Sequence, residues 1–308
     1  MLAVIAALVP VFLVIATGYI MRISGIVAEG QWQGFERLTY FVLFPAIIIE
    51  TLVKADLSTV PVLGVGVALI GAIVSNAIVV LVLRRPLERT IALDGPSFTS
   101  LFQGSTRWNT FVALAVAGAL YGNDGLTLMA IAIAAMIPLL NVMAVLALAR
   151  YAGGAPQSAG DIVLMLARNP FIWSCAVGIA VNAAALPIPR IAIDYAGILG
   201  RASLAAGLLV VGSGLDLTQL ARPRTVHWLS CAFKLLLLPL LVALYTTGLG
   251  VTGIGRTVAV LAASVPTSTA AYILARQLGG NAPLMAEIIT LQTLVAMVTM
   301  PVVLALLG

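Results

Sequence analysis

The hydrophobic pattern of this chain consists of apolar runs of about twenty residues, separated by short polar stretches. A helix needs about twenty apolar residues to cross a bilayer, whereas a membrane β-strand alternates apolar and polar positions over about ten. The runs here are continuous, so the pattern predicts an all-α polytopic membrane protein with ten transmembrane helices. The predicted spans cover residues 1–21, 38–53, 60–83, 98–121, 126–149, 170–186, 194–218, 226–249, 254–275 and 283–307.

The composition excludes a soluble domain. Hydrophobic residues make up 62% of the 308 positions and charged residues only 9%, with a mean hydropathy of +1.14. Soluble domains carry about 25% charged residues. The formal net charge of +5 is scattered between the spans and not clustered on one face. We therefore expect membrane lipid, and no nucleic acid, as the partner of these charges.

The basic residues predict the orientation. Ten of the sixteen fall in loops on one side of the predicted bundle: Arg22, Arg37, Arg84, Arg85, Arg89, Arg150, Arg168, Arg222, Arg224 and Arg276. Three fall in the opposite loops, and three lie within spans. Positive loops stay in the cytoplasm, so we expect a cytoplasmic (inner) membrane protein with both termini on the outer, periplasmic side. The first apolar run is too long for a signal peptide and lacks a basic start, so we expect it to be retained.

The polar linker after span five divides the chain into residues 1–150 and 161–308, each with five predicted spans. An odd number of spans inverts the second half relative to the first, which is the arrangement of inverted-repeat transporters. The stretches "YGNDGLTLMA" and "LGGNAPLMAE" follow spans four and nine and share Gly-Asn and Leu-Met-Ala. These matches favour an internal duplication.

Polar residues interrupt span four in the stretch "FQGSTRWNTF". Arg107 and Asn109, followed by Thr110, lie about ten residues from the inner end, or roughly 15 Å at the helical rise, which is near the midplane. An ionisable residue at this depth indicates a functional site. We expect Arg107 to supply charge to an anion, and Asn109 and Thr110 to supply hydrogen bonds.

A second interruption, "SVPTSTAAY", falls in span nine at a similar depth. Pro266 lacks a backbone donor, and Thr267 and Ser268 offer hydroxyl groups to the backbone that it frees. Interrupted helices at matching positions of two halves indicate a transporter site, and half-helix N-termini favour an anion. The alternative is ordinary polar packing with a proline kink.

Three further polar residues lie in the second half. Glu287, the single carboxylate in predicted spans eight to ten, is a candidate for proton coupling, and Gln292 lies one to two turns deeper. Lys234 is expected to extend its charge to the cytoplasmic interface, with a role as charge partner or substrate counter-ion as the alternative. Asn76, Asn141 and Asn182 occur singly in their spans and favour interhelical hydrogen bonds. With one histidine and no nucleotide or metal motif, we expect no cofactor, no metal site and no enzyme.

Several stretches, taken in order, resemble the auxin efflux carrier family, which includes bacterial malonate and malate permease relatives and the plant PIN-type carriers. They are "LVPVFLVIATGYIMRISGIV", "ERLTYFVLFPAIIIETL", the Asn-Thr of "RWNTF", "RNPFIWSCAVGIAVNAAALPIP", "LLVVGSGLDL" and "VPTSTAAYILARQLGGNAPLMAEIITLQTLVAMVTMPVVLAL".

The resemblance implies two inverted repeats of five helices. Helices 1, 2, 6 and 7 would form a scaffold, and helices 3–5 and 8–10 a transport domain in which broken helices 4 and 9 cross. By this resemblance, Asn109 and Thr110 match the helix-4 crossover and Pro266 matches the helix-9 crossover. Trp108 stands where plant members have proline, so the break in helix 4 is expected to be gentler or made differently.

We therefore expect a secondary active transporter of small organic anions such as carboxylates, working by alternating access. One alternative is a sodium-coupled organic-anion symporter of the bile-acid type, and another is a membrane sensor that binds without transporting. The sequence leaves the substrate, the direction, coupling to protons or sodium, and a homodimer open.

Overall fold

The computed structural model of the chain describes residues 2–55, 62–153, 158–218 and 223–308, and these residues form helices and connecting loops. The start of the third predicted span and the centre of the predicted linker lie outside the described residues. The helices are α1 (Leu2–Ile23), α2 (Glu29–Leu38), α3 (Phe44–Lys54), α4 (Val62–Val82), α5 (Arg84–Ile91), α6 (Gly95–Thr106), α7 (Thr110–Tyr151), α8 (Ala159–Ala167), α9 (Pro170–Ala183), α10 (Arg190–Ser213), α11 (Thr225–Cys231), α12 (Leu238–Gly248), α13 (Gly253–Ser264), α14 (Ala270–Gln277) and α15 (Ala282–Leu307).

Within this described part of the chain, six helical stretches are long and apolar enough to cross a membrane, and the bent pair α8–α9 would make a seventh. The all-α membrane class is thus confirmed. The count of ten spans stays a prediction, because predicted span nine is divided between two short helices and spans four and five form one apolar stretch, Gly95–Tyr151.

Two π-helical segments, Thr39–Leu43 and Ala232–Leu237, join α2 to α3 and α11 to α12. Each ends two residues before a proline, Pro45 or Pro239. A proline inside a helix removes one hydrogen bond and clashes with the carbonyl of the fourth preceding residue, so a wider turn at this place relieves the clash.

The long helix α7 folds back on itself at Gly122, whose backbone is not helical (φ 53°, ψ −134°). A side chain at Gly125 would collide with the carbonyl of Ala117. In a straight helix these two residues would lie about 12 Å apart along the axis. Residues 110–121 and 123–151 are therefore two packed arms, as the separate spans four and five require.

Small and polar residues bring the helices together. Gly18 of α1 and Gly212 of α10 each face the partner helix so closely that a side chain would strike its backbone, a packing typical of membrane helices. Asn182 donates to the carbonyls of Leu52 and Ala55 at 3.0 and 2.8 Å. The interhelical role expected for Asn182 is thus confirmed.

The core and the lipid-facing surface are both apolar. Every residue from Val258 to Ala263 of α13 is fully buried, and most of α7 is buried against it. Large apolar side chains of the outer helices, such as Leu63, Ile191 and Val298, are mostly exposed. In a membrane this exposed surface contacts lipid, so α13 and the first arm of α7 form the centre of the protein.

Candidate functional site

The break between α6 and α7 covers Arg107, Trp108 and Asn109. Arg107 and Asn109 have extended backbone conformations. The Asn109 side-chain oxygen accepts hydrogen bonds from the N–H groups of Phe111 and Val112 at 3.1 and 3.2 Å, which caps the new helix. An asparagine cap satisfies backbone donors that a helix start leaves free. The helix is therefore fully interrupted without a proline. Of the two alternatives expected for this break, it is made differently and is not gentler.

The break between α13 and α14 covers residues 265–269. It touches the first break directly, since the Asn109 N–H donates to the Pro266 carbonyl at 2.8 Å. The Thr267 hydroxyl donates to the Gly104 carbonyl of α6 at 2.9 Å. Around this contact, α13 packs on α7 and α14 packs on α6. Two interruptions that are far apart in the sequence thus meet in one place.

Gln292 of α15 holds the two breaks in position. Its side-chain oxygen accepts from the Thr267 N–H at 3.0 Å. Its amide nitrogen donates to the Gly104 carbonyl and to the Ser230 hydroxyl, both at 2.7 Å. Gln292 is fully buried, so its place is in the framework behind the breaks.

Arg107 lies next to the meeting point of the breaks. Its Nη2 donates to the Asn141 side-chain oxygen at 3.0 Å. Its Nη1 is buried and has no hydrogen-bond partner among the described residues. Guanidinium groups have only donors, so this nitrogen is a donor without an acceptor.

An inner cavity of about 420 Å³ borders these residues. Four of the six residues predicted to bind substrate line it: Arg107, Asn109, Thr110 and Ser268. Pro266 and Thr267 do not line it, because their polar groups are used in the contact between the breaks. Sequence reasoning missed Tyr40, Asn141, Asn169 and Phe171, which also line the cavity. Asn169 and Phe171 lie in a stretch that resembles the family, but this stretch contains no charged or helix-breaking cluster within a predicted span that would indicate a site.

The mouth of the inner cavity carries charge. Glu36, Arg37 and Arg168 all line it. Burial raises the pKa of the Glu36 carboxyl above its ordinary value. These residues come from α2 and from the loop before α9, so the mouth opens on the side where most basic loops lie.

Two predicted polar residues lie away from this cavity. Glu287 forms an ion pair with Arg224 at 3.2 Å and a hydrogen bond with His227 at 2.6 Å. Since His227 Nδ1 accepts the Arg224 backbone N–H at 2.8 Å, its proton is on Nε2 and points to the carboxylate. Glu287 thus connects α15 to α11.

The prediction that Lys234 extends its charge to the cytoplasmic interface is wrong. The residue is 0% exposed, and its Nζ donates to the Ala263 carbonyl at 2.9 Å. Ala263 lies at the C-terminal end of α13, where carbonyl groups lack helical partners and the helix dipole is negative. The lysine is therefore held inside the protein behind the second break.

A larger outer cavity of about 980 Å³ lies on the opposite side and shares no lining residue with the inner one. Ile47 and Thr51 of α3 line it. The rings of Phe44 and Phe111 stack, with centroids 4.5 Å apart, and Phe171 packs against both. Phe111 and Phe171 line the inner cavity, and the fully buried Phe44 lies one turn before Ile47, which lines the outer one. We infer from these positions that the aromatic cluster lies between the cavities.

Comparison with known proteins agrees with the membrane class and the quoted motifs. The model of the family described as "Membrane transport protein" matches residues 3–304. A protein described as "Uncharacterized transporter" from Methanothermobacter thermautotrophicus is 26% identical over 294 residues, which cover 94% of each chain. The resemblance to auxin efflux carriers is confirmed, and the chain belongs to this family of membrane transport proteins.

Proposed function

We propose that the protein is a secondary active transporter of small organic anions, with carboxylates as the substrate class. The observation that carries this proposal is the partly buried Arg107, which lines the inner cavity and has one buried guanidinium nitrogen, Nη1, without an acceptor among the described residues. A buried charge without a full set of partners is costly, and an anionic ligand would supply the missing acceptor.

The surroundings of Arg107 support a carboxylate. The Asn141 side-chain oxygen accepts a hydrogen bond from Arg107 Nη2 at 3.0 Å, which leaves Nη1 for a ligand. The hydroxyl-bearing residues Thr110 and Ser268 line the same cavity. Phe171 adds an apolar wall, as expected for a site that binds the carbon body of an organic anion.

The two separate cavities support alternating access. The inner cavity reaches the breaks, while the Phe44–Phe111 stack separates them from the outer cavity. This arrangement corresponds to a state open to the cytoplasm, given the orientation predicted from the basic loops. In the opposite state the aromatic cluster would separate and the breaks would face the outer cavity.

The packing supports a division into a scaffold and a moving domain. α1 packs on α10, and α3 packs on α9 and α10. A second group consists of α4, α6, α7 and α11 to α15, which pack on one another. The two groups meet where α7 packs on α1, α3, α9 and α10. This grouping favours the expected scaffold (helices 1, 2, 6 and 7) and transport domain (helices 3–5 and 8–10) of an inverted-repeat carrier with ten helices.

The test is uptake of radiolabelled malonate by the full-length protein in liposomes, with a pH gradient, a sodium gradient or neither. Arg107→Gln should lower uptake by at least about tenfold, because it removes a charge-assisted hydrogen bond. Arg89→Gln is the matched control, since Arg89 is exposed on α5 and lines none of the cavities described above.

Equal uptake by the wild type and Arg107→Gln would contradict the site. Strict dependence on the sodium gradient would favour the symporter alternative. Specific malonate binding without uptake under any gradient would favour a sensor.

A further inference from the structure

A small chamber of about 80 Å³ adjoins the inner cavity. Arg107, Thr110, Asn141 and Ser268 line both spaces. Trp108 lines the small chamber and not the larger cavity. The share of one water in the liquid is about 30 Å³, so the chamber has room for a group the size of two or three waters, such as a carboxylate.

The chamber is bordered by two residues that each have an unused buried donor. Arg107 Nη1 has no hydrogen-bond partner among the described residues, and neither does Trp108 Nε1. Trp108 is 3% exposed, so a partner for its indole N–H has to come from within the chamber. An indole N–H and a guanidinium donate and never accept. The chemical group that suits this place therefore has acceptors and no donors, as an ionised carboxylate does.

An unpartnered indole alone would not indicate a site, and Trp32 shows why. Trp32 is 7% exposed, and its Nε1 also has no partner among the described residues. It lines neither the inner cavity nor the chamber. What distinguishes Trp108 is that it follows Arg107 directly in the first break and borders the same chamber as the arginine.

We propose that Arg107 Nη1 and Trp108 Nε1 form a two-donor subsite that takes one carboxylate group of the substrate. This inference rests on the proposed function and adds a specificity residue to it. The carboxylate occupies the small chamber, and the rest of the substrate extends into the larger cavity. Trp108 makes the site select an ionised carboxylate over the corresponding neutral amide. If the amide oxygen accepts from Arg107 Nη1, the amide NH₂ group faces the Trp108 N–H, which is also a donor.

The first test measures binding of phenylacetate and phenylacetamide to the full-length protein in detergent. Trp108→Phe keeps an aromatic ring and removes the donor. We expect it to weaken phenylacetate binding roughly tenfold, as for a lost hydrogen bond to a charged group. It should also reduce the preference for phenylacetate over phenylacetamide. Trp32→Phe should change neither value.

The second test does not depend on the folding of Trp108→Phe. The chain has four tryptophans, Trp32, Trp108, Trp173 and Trp228, so the ¹⁵N-labelled protein should give four indole N–H signals. Phenylalanine substitutions at the other three positions assign the Trp108 signal by elimination. Addition of phenylacetate should change the chemical shift of the Trp108 indole signal and leave that of the Trp32 signal unchanged.

The outcomes separate the two proposals. If Arg107→Gln abolishes phenylacetate binding while Trp108→Phe binds as the wild type does, the subsite is overturned and the proposed function stands. A Trp108 indole signal that stays in place at saturating phenylacetate also overturns the subsite. If neither phenylacetate nor malonate binds the wild type, the carboxylate assignment and the subsite are overturned together.

Discussion

Gln292→Met should destabilise the protein more than Thr293→Val, the substitution of its neighbour on α15. Methionine has nearly the same length and fills the same space, but it cannot make the hydrogen bonds of the glutamine to Thr267, Gly104 and Ser230. The substitution therefore tests the polar framework behind the two breaks without opening a cavity.

The expected loss of unfolding free energy follows from the groups that lose a hydrogen-bond partner. The Thr267 N–H is buried, and an unpartnered buried donor costs about 1–3 kcal/mol. The Gly104 carbonyl keeps the Thr267 hydroxyl at 2.9 Å, and the Ser230 hydroxyl is free to rotate, so their losses are smaller. Interhelical hydrogen bonds in membranes average about 0.6 kcal/mol. Together these terms give about 2–3 kcal/mol, or a fall in Tm of about 5 °C.

The assay is thermal unfolding of the purified protein in detergent, with Tm as the measured quantity. Phenylacetate binding is measured separately on the folded protein. Thr293→Val is the matched control, because Thr293 is also buried but its hydroxyl bonds only to Ile289 within the same helix. Its loss should cost less than about 1 kcal/mol. If Gln292→Met lowers Tm no more than Thr293→Val, Gln292 does not hold the breaks together and the reasoning fails.

Three further predictions concern a charge at the cavity mouth, a buried lysine and a turn. Because burial raises the pKa of Glu36, the mouth loses a negative charge as the pH falls through this pKa. Anion affinity should therefore rise in acid, and Glu36→Gln should remove this dependence. Lys234→Met should keep the thermal stability of the wild type, since an apolar side chain avoids the burial of a charge. Lys234→Glu should prevent folding, because it would place a carboxylate against the Ala263 carbonyl. Gly122→Ala should cost about 1–3 kcal/mol, since its backbone conformation is open almost only to glycine.

Each of these predictions has a control or an outcome that would contradict it. Glu88→Gln should leave the pH dependence of binding unchanged, because Glu88 is an exposed residue of α5 outside the cavity. A large loss of stability in Lys234→Met would mean that the hydrogen bond to Ala263 outweighs the burial of the charge. For the turn, Gly248→Ala should be neutral, since a side chain there meets open space. Equal effects of Gly122→Ala and Gly248→Ala would contradict the argument from the backbone.

The amino-acid sequence alone was sufficient for the membrane class, the family and the position of the two polar interruptions. Each of these depends on local chemistry. A continuous apolar run has to be helical in lipid, because its backbone groups find no other partner there. A cluster such as "STRWNTF" departs from that pattern wherever it lies, so Arg107, Asn109 and Thr110 could be selected without any tertiary contact.

Only the tertiary structure decided how these pieces meet. Asn109 bonds to Pro266, which is more than 150 positions away in the chain, and Arg107 bonds to Asn141 on the second arm of α7. The roles of Gln292 and Lys234 also depend on which helix face turns inward. In a soluble helix the apolar stripe would reveal that face. In this protein both the core and the lipid-facing surface are apolar, so the pattern along the chain does not distinguish them and only the packed helices do.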